Sequence, residues 1–285
     1  MSGAPTLEAP AKPKYSCLGK EAGVSVVKPG AKVWTEPMPE REEEQAAFFR
    51  REGFLVLRGV LSRAELDELD AEVARMVREH HKLPRIREGF DLEPNQDAKR
   101  ATPTFRKIGG MSDLSGAFHD LMCHPRITRA LRMVMGPVIE LYRDVLMMKP
   151  ARVGREKPWH QDSVYWPWNP MDLCSAMTAL DDAAPENGCL QVIPRTHLKE
   201  IQHYGRELQI DLTEEQQANT HYVPLKAGDT LLFHSLLLHG SEPNRSEQDR
   251  RVAILSYKTP GLKFIGKGEA PKSIVIHDVK PFGYV

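Results

Sequence analysis

The sequence predicts an α+β fold whose core is an all-β sandwich or barrel. Helix-like patterns occupy the first half of the chain, and short strand-like runs separated by Pro, Gly, Asn and Asp clusters follow from Val138 onward. The chain has 285 residues, of which 41% are hydrophobic and 27% charged, as is ordinary for a globular protein. One domain with insertions and two domains are both compatible with this length, and no internal repeat is visible.

The chain is expected to begin with an irregular arm over residues 1–40, because this stretch contains six prolines and no sustained hydrophobic period. Residues 41–52 then have the pattern of a helix, with Phe49 among its apolar positions, and Gly53 ends it. Residues 54–57, Phe-Leu-Val-Leu, are expected to form the first strand.

The next pattern is an amphipathic helix that extends to about His80. Ser62 and Glu65 form a capping box, and apolar residues follow at three- and four-residue spacing. Residues 82–106 are charged, contain three prolines and show no period, so we expect a long loop. We interpret this loop as a lid that orders when ligands bind, with a permanently solvated surface loop as the alternative.

Two short helices and then a series of strands are expected in the remainder of the chain. Residues 114–122 and 127–135 have helical patterns, and Gly136-Pro137 ends the second of them. The expected strands are residues 138–148, 173–180, 189–193, 229–234 and 252–258.

The composition argues against several classes of protein. Lys plus Arg and Asp plus Glu each number 39, so the chain lacks the basic excess of nucleic-acid-binding and membrane-surface proteins. No apolar run approaches the roughly 18 residues needed to cross a bilayer, and the N-terminus does not resemble a signal peptide. The four cysteines are far apart, which favours free thiols in a reducing compartment. We therefore expect a cytoplasmic protein without nucleic-acid or membrane partners.

The strongest chemical signal is the segment His160-Gln-Asp162. Side chains at positions i and i+2 of an extended chain project to the same face, so His160 and Asp162 can point at one centre. His239, which follows a hydrophobic strand and precedes a glycine, is the best candidate for a third ligand. Two histidines and one carboxylate form the facial triad of non-haem Fe(II) oxygenases, which leaves positions open for a cosubstrate and O2.

Two alternatives stay open at this site. A histidine near a carboxylate is more often a hydrogen-bonded pair than part of a metal site, so the His-x-Asp motif alone is a weak signal. His234 lies five residues before His239 and competes with it as the third ligand, although a position in the core or behind the metal ligands is favoured for His234.

Arg250 is the candidate anchor for a cosubstrate. It opens the strand-like run that ends at Ser256, where a buried guanidinium can pair in a bidentate manner with the distal carboxylate of 2-oxoglutarate. A solvated surface charge is the alternative interpretation of Arg250. Arg251 points to the opposite face of the strand, and it becomes the anchor only if the alternation is shifted by one residue.

Further motifs occur in a fixed order around these residues. They are Tyr165-Trp-Pro167, Asn187-Gly-Cys-Leu190, Ile193-Pro-Arg-Thr-His197, Gly228-Asp229 and His239-Gly-Ser241. In order and spacing, from about Phe48 to Tyr257, the chain resembles the phytanoyl-CoA dioxygenase family, a branch of the Fe(II)/2-oxoglutarate-dependent oxygenases.

The resemblance implies a double-stranded β-helix, the jelly-roll architecture, with helices packed on one side and a single domain over residues 41–285. It implies Fe(II), 2-oxoglutarate as cosubstrate and O2. The implied reaction is hydroxylation, or a related C–H oxidation, of a small organic substrate with release of succinate and CO2. The catalytic iron ligands would be His160, Asp162 and His239.

The same resemblance assigns the residues around the cosubstrate. They are Arg250, Ser241, Lys107, Gln161, Val145 and Met177. Arg250 and the hydroxyl of Ser241 would bind the cosubstrate carboxylate, and Lys107 occupies a position at which the family places a lysine near it. Met177 stands where a tryptophan occurs in the family, which keeps an apolar wall but changes its shape.

The substrate does not follow from the sequence, and other functions remain as alternatives. One is a non-catalytic jelly-roll protein that keeps the metal pocket for binding or sensing. Another is a metal-dependent cupin-type enzyme that does not use 2-oxoglutarate. An acyl-CoA-specific hydroxylase is the narrower form of the main prediction, beside natural-product intermediates and small amino-acid derivatives as substrates.

Overall fold

In the computed structural model, two β-sheets line a common cavity, and helices lie on the outer side of the larger sheet. The structure describes residues 32–35, 37–85, 89–94, 102–201, 203 and 208–276. The helices are α1 (Glu42–Glu52), α2 (Arg63–Glu79), α3 (Met111–Leu114), α4 (Gly116–Met122), α5 (Pro125–Met135) and α6 (Glu214–Ala218). The strands are β1 (Lys32–Val33), β2 (Phe54–Leu57), β3 (Phe90–Leu92), β4 (Phe105–Gly109), β5 (Glu140–Lys149), β6 (Lys157–His160), β7 (Trp168–Asn169), β8 (Leu173–Ala179), β9 (Leu190–Ile193), β10 (His221–Tyr222), β11 (Thr230–His234), β12 (Leu238–Ser241), β13 (Arg250–Lys258), β14 (Lys263–Phe264) and β15 (Ile274–Val275).

Each sheet combines strands that are distant along the chain. The larger sheet has the order β2-β11-β8-β13-β5-β4-β3, and β15 also pairs with β5. The smaller sheet has the order β1-β10-β9-β12-β6, in which β1 and β10 are parallel and the other neighbours antiparallel. Strands that alternate between two sheets are the arrangement of a jelly roll. The predicted α+β jelly roll with helices on one side is confirmed.

Successive side chains of β13 face the cavity and the helical layer in turn. Arg250 and Ile254 line the cavity, whereas Arg251 forms an ion pair with Asp70 of α2. Successive side chains of a strand point to opposite faces, so the odd-numbered residues of β13 pack against the helices. The hydrophobic core lies on this second face, where fully buried residues of the strands meet those of the helices. Among them are Leu55, Leu146, Leu232 and Leu255 on strands, and Met76, Phe118 and Leu131 on helices.

The first helices begin and end where the sequence predicts. Gly53 ends α1 with φ = +86°, and a side chain at this position would lie only 2.4 Å from the ring of His197. At the start of α2 the hydroxyl of Ser62 accepts from the N–H of Glu65, whose carboxylate accepts from the N–H of Ser62. Within the described ranges, no helix combines the length and the apolar character needed to cross a bilayer.

Part of the segment 82–106 is regular structure, contrary to the prediction of a loop. Within it β3 pairs antiparallel with β4, and the two strands extend the edge of the larger sheet beyond β5. β3 escapes sequence analysis because it is three residues long, and its pairing with a neighbouring strand replaces any periodic pattern of its own. Residues 86–88 and 95–101 lie outside the described residues.

The predicted arm also contains a short strand. β1 pairs in parallel with β10 at the edge of the smaller sheet, and Trp34 packs edge-on against Phe48 and Phe54. These contacts anchor the last part of the arm, residues 32–35, to the fold. The greater part of the arm, residues 1–31, lies outside the described residues, and the division into an arm and one domain stays a prediction.

Candidate metal centre and cavity

The three predicted metal ligands meet on neighbouring strands of the smaller sheet. β6 ends at His160, and Asp162 begins a short 3-10 turn two residues later. β12 pairs antiparallel with β6, and this pairing places His239 directly opposite His160. His239 follows the hydrophobic strand β11, as the sequence indicated, and itself lies within the next strand, β12. The register of this strand pair and the i, i+2 spacing together bring the three side chains to one point on the cavity wall.

Donor atoms of the three side chains lie close enough to bind one metal ion. Nε2 of His160 is 3.4 Å from Oδ1 of Asp162, and Nε2 of His239 is 3.7 Å from the same oxygen. One donor atom from each residue lies within 4.8 Å of the others. Metal–ligand bonds of about 2.1 Å place neighbouring donors about 3 Å apart, so small shifts suffice to bind an ion. Two imidazoles and one carboxylate fit the facial-triad donor set.

Backbone hydrogen bonds hold both imidazoles in the form that can bind a metal. Nδ1 of His160 is 2.7 Å from the carbonyl oxygen of Pro158, and Nδ1 of His239 is 2.8 Å from that of Leu237. A carbonyl oxygen only accepts, so each Nδ1 donates a proton, and each Nε2 keeps a lone pair that faces Asp162. The two rings are therefore oriented as ligands by the backbone itself.

The charges of the centre favour the same protonation states. Burial alone would raise the pKa of Asp162, but His239, His160 and the charge of Arg143 lower it to about 2. Burial lowers the pKa of His239 to about 4, and the neighbouring His160 acts in the same direction. At neutral pH the carboxylate is ionised and the imidazole of His239 is neutral, which are the forms that bind metal ions.

Gln161, which the resemblance assigned to the cosubstrate pocket, is bound on the side of the segment away from the cavity. Its side chain is fully buried, and the amide nitrogen donates to the carbonyl oxygens of Lys199 at 2.8 Å and Leu236 at 2.6 Å. The amide oxygen accepts from the N–H of Ile201 at 2.9 Å. The residue between two inward-facing side chains of an extended segment points to the opposite face. Gln161 therefore braces the ligand segment from behind.

Arg250 provides a buried cation on the cavity wall. The residue is 5% exposed, and its Nη2 donates to the carbonyl oxygen of Gly188 at 2.8 Å. The Nε–H is also buried, and it has no hydrogen-bond partner among the described residues. Burial lowers the pKa of Arg250 to about 10, so the guanidinium remains charged at neutral pH. A buried cation with an unused donor is suited to a carboxylate, and the distal carboxylate of 2-oxoglutarate fits this requirement.

Ser241, Met177 and Lys107 also line the cavity. Ser241 lies on β12 two residues beyond His239, and Met177 lies on the buried strand β8. The ammonium of Lys107 on β4 is 2.9 Å from a carboxylate oxygen of Asp91 on β3. A cosubstrate that binds Lys107 therefore meets a charge that already has an acidic partner.

Val145, which the resemblance also assigned to the cosubstrate pocket, is not among the side chains that line the cavity. It lies on β5 opposite Ile254 of β13 and Gly109 of β4, and its side chain is fully buried. Other residues of β5 line the cavity: Tyr142, Arg143, Met147, Met148 and Lys149. Neighbouring side chains therefore cover Val145 on the face that it shares with Ile254.

Lys149 is a cavity residue that the sequence analysis missed. It is 7% exposed, and its Nζ donates to the carbonyl oxygens of Arg155 and Glu242 at 2.6 Å and lies 3.5 Å from that of Ser241. Lys149 stands directly opposite Arg250 in the pairing of β5 with β13. Burial and the charge of Arg250 lower the pKa of Lys149 well below its ordinary value. No local pattern indicates this residue, because its position depends on the register of two distant strands.

The two competing candidates lie outside the centre. Nε2 of His234, at the end of β11, lies 3.2 Å from a carboxylate oxygen of Asp172, and the ring of His234 lies 5.3 Å from that of His197. The guanidinium of Arg251 donates to both carboxylate oxygens of Asp181, at 2.6 and 2.7 Å. Both side chains thus form contacts away from the triad.

Aromatic residues complete the cavity, which has a volume of about 520 Å³. The ring of Tyr165 lies 5.7 Å from that of His160, and the ring of Tyr142 lies 5.9 Å from that of Trp166. Both tyrosines and Trp166 line the same space as the triad and Arg250. This volume is in the range of small-molecule sites, and it accommodates a cosubstrate together with a small substrate.

Comparisons with known proteins agree with this arrangement. Residues 49–252 match the model of the family described as phytanoyl-CoA dioxygenase (PhyH). The peroxisomal phytanoyl-CoA dioxygenase of Mus musculus is 30% identical over 223 residues, which cover 73% of this chain and 66% of that protein. The ectoine dioxygenase of Bordetella parapertussis is 28% identical over 243 residues, which cover 76% of this chain and 75% of that protein.

A solved structure shows the same architecture. The crystal structure of EctD from S. alaskensis with 2-oxoglutarate and 5-hydroxyectoine matches with a TM-score of 0.67 at 25% sequence identity. The match covers 90% of this chain and 91% of that one. The likeness therefore extends over most of both chains.

Proposed function

This chain belongs to the phytanoyl-CoA dioxygenase (PhyH) family, and on that premise we propose that it oxidises a C–H bond of a small organic substrate, by hydroxylation or a related reaction, while 2-oxoglutarate is converted to succinate and CO2. The enzyme class expected from the sequence, an Fe(II)- and 2-oxoglutarate-dependent dioxygenase, is confirmed together with its cofactors Fe(II), 2-oxoglutarate and O2. One observation carries the proposal: three convergent metal ligands line the same cavity as a buried guanidinium, and one N–H of this guanidinium has no acceptor in the described part of the chain.

We assign the iron ligands to His160, Asp162 and His239. When bound, Fe(II) supplies the activation of O2 and the oxidative chemistry. The protein contributes the orientation of the ligands: the carbonyl oxygens of Pro158 and Leu237 hold each imidazole with its Nε2 toward the centre. Little reorganisation is then needed when the ion binds, which favours binding.

We assign the cosubstrate anchor to Arg250 and Ser241. The guanidinium of Arg250 can donate its unused Nε–H to the distal carboxylate, and the hydroxyl of Ser241 can donate to the same group. Lys149 holds the strand that carries Ser241 by donating to the backbone of this strand. Apolar side chains such as Met177 line the space and limit the access of water to the reacting groups.

Succinate formation tests this proposal. Purified protein is incubated with Fe(II), 2-oxoglutarate and O2, with and without members of a substrate library, and succinate and CO2 are measured. We expect a slow background without substrate, a rise with a true substrate, and no succinate from the Asp162→Ala variant. A protein that binds Fe(II) and 2-oxoglutarate but never forms succinate would be the non-catalytic binding protein. Substrate oxidation that does not require 2-oxoglutarate would indicate the cupin-type enzyme.

The library should represent the substrates after which the two relatives are named. Phytanoyl-CoA is an acyl-CoA thioester, and ectoine is a small molecule. An acyl-CoA-specific hydroxylase is the narrower form of the proposal. Equal turnover of an acid and its CoA thioester would contradict that narrower form and leave the general one intact.

A further inference from the structure

The strand pairing of the smaller sheet positions the two histidines of the triad but does not reach Asp162. His160 is the last residue of β6 and pairs with His239 of β12, whereas Asp162 lies in the 3-10 turn that follows β6. The side chain of Asp162 is 18% exposed and lies on the cavity wall. Contacts outside the β-ladder therefore have to hold this carboxylate in place.

Ser163, the residue after this ligand, is attached to Ser235 by two hydrogen bonds. The N–H of Ser163 donates to the carbonyl oxygen of Ser235 at 3.0 Å, and the hydroxyl of Ser163 donates to that of Ser235 at 2.7 Å. Both residues are buried. A buried polar group is costly to leave without its partner, so these hydrogen bonds fix the backbone next to Asp162.

The hydroxyl of Ser235 uses all of its hydrogen-bonding capacity. It accepts from the hydroxyl of Ser163 and from the N–H of Leu173 at 3.2 Å, and it donates to the carbonyl oxygen of Met171 at 3.1 Å. A serine hydroxyl has one donor and two acceptor positions, and here each of them is occupied. One oxygen atom therefore joins the turn that carries Asp162, the start of β8 and the turn between β11 and β12.

The turn that carries Ser235 also orients a second ligand. It links β11 to β12, and its residue Leu237 supplies the carbonyl oxygen that accepts from Nδ1 of His239. The amide of Gln161 donates to the carbonyl oxygen of Leu236 in the same turn at 2.6 Å. The carboxylate ligand thus has a neighbour on each side that is hydrogen-bonded to this turn, and the turn in turn holds the ring of His239.

We propose that Ser235 is a positioning residue of the metal centre, and that its hydroxyl holds the carboxylate of Asp162 in register with His239. The inference rests on the proposed oxygenase function, because it concerns the ligands of the metal which that function requires. Donor groups that are held in place before the ion arrives lose little freedom when it binds, and residues behind the ligands commonly contribute about tenfold to hundredfold in metal affinity. A serine that only stabilised the fold would leave this affinity unchanged.

Titration of the purified protein with Co(II) tests the proposal. Co(II) binds to nitrogen and oxygen donors more tightly than Fe(II) does, and its visible absorption bands report the geometry of the donors. We expect Ser235→Ala to weaken Co(II) binding by about tenfold and to change the visible spectrum at saturation. Ser163→Ala removes the same hydroxyl contact from the other side, so it should change both in the same direction, and it takes over the test if Ser235→Ala does not fold.

The matched control is Ser256→Ala, which removes a fully buried hydroxyl that lies 3.0 Å from that of Ser175 in the larger sheet. This variant should lower the thermal stability as Ser235→Ala does, but leave the affinity for Co(II) and the spectrum unchanged. The proposal would be overturned by unchanged Co(II) affinity in Ser235→Ala, or in Ser163→Ala where that variant takes over the test, and also by an equal loss of affinity in Ser256→Ala. If the unaltered protein binds no Co(II), the oxygenase function itself is contradicted, an outcome visible before any variant is made.

Discussion

Lys149 and Arg250 stand directly opposite each other on neighbouring strands, and both are almost fully buried. The ammonium of Lys149 is satisfied by backbone carbonyl oxygens, whereas Arg250 keeps one N–H directed to no partner among the described residues. Two buried cations of like sign repel each other until an anion binds. The wall at this end of the cavity is therefore prepared for a carboxylate.

We expect Lys149→Met to affect both stability and cosubstrate binding. The substitution leaves the carbonyl oxygens of Arg155 and Glu242, the second of them in a buried contact, without their donor, which should lower the free energy of unfolding by about 1–3 kcal/mol. It also releases the strand that carries Ser241, so the KM for 2-oxoglutarate should rise. Chemical denaturation and steady-state kinetics measure the two effects. Lys226→Met, which removes a lysine whose side chain is 71% exposed, is the matched control and should change neither.

Arg250→Ala and Arg251→Ala should have different consequences. Loss of the Arg250 guanidinium should weaken 2-oxoglutarate binding by about 2 kcal/mol or more, roughly thirtyfold. The binding of Fe(II), measured without 2-oxoglutarate, should change little. Arg251→Ala breaks the ion pairs with Asp181 and Asp70, so it should lower the unfolding free energy by about 1–3 kcal/mol and leave cosubstrate binding unchanged. Calorimetry with 2-oxoglutarate and thermal unfolding separate the two. The reverse ranking would make Arg251 the anchor.

The metal ligands are tested by the stoichiometry of bound Fe(II). His239→Ala should abolish tight binding of Fe(II) under anaerobic conditions, because only two of the three convergent donors remain. His234→Ala is the matched control, since it removes a histidine that pairs with Asp172 outside the triad. Circular dichroism should show that both variants fold. Full iron binding by His239→Ala would contradict the assignment and return His234 to consideration.

We expect the segment 82–106 to close over the cavity when cosubstrate and substrate are bound. Asp91 on β3 belongs to the described part of this segment, and Lys107 on β4 follows its end. Both residues line the cavity, so a movement of the segment would change the surroundings of the site. Hydrogen exchange across the segment should slow when 2-oxoglutarate and substrate are added to the iron-loaded protein, while exchange in α2 stays the same. Equal protection with and without ligands would reject the lid.

The buried cysteines should resist thiol reagents in the folded protein. Burial raises the pKa of Cys189 to about 12 and raises that of Cys174 further, and it also raises the pKa of the half-buried Cys123. Thiolates, which are the reactive form, are then scarce at neutral pH. In a Cys17→Ser variant we expect slow reaction of at most one thiol before denaturation and of three afterwards. Rapid labelling of two thiols in the native state would contradict this expectation.

Local signals account for what the sequence predicted correctly in the fold. Helix α2 has a capping box at Ser62 and Glu65 and a clear apolar period, and it forms where predicted. The hairpin of β3 and β4 escaped prediction because neither strand has a pattern of its own and each depends on its neighbours. The helix or strand propensity and the hydrophobic period can be read from a single segment, whereas the pairing of a strand depends on the other strands of the sheet.

The same distinction applies to the site. The spacing of His160 and Asp162 indicated a shared face, and the same alternation, applied to Gln161, would have placed that residue outside the cavity. Lys149 could not be assigned in this way. Its position opposite Arg250 depends on the register of β5 against β13, which is set by contacts between segments about 100 residues apart.

The hydrogen bonds by which Gln161 holds the ligand segment also matter for any attempt to transfer this metal centre to another protein. Its amide connects the ligand segment to Lys199, Ile201 and Leu236, which lie on two other segments of the chain. A designer who grafts only His160 and Asp162 onto another scaffold would leave the intervening residue without acceptors, and the two ligands without support. The smallest portable unit is thus three segments and not a three-residue motif. In a library of variants randomised at position 161, the yield of folded protein should decide which variants are recovered, even though the side chain at this position does not contact the substrate.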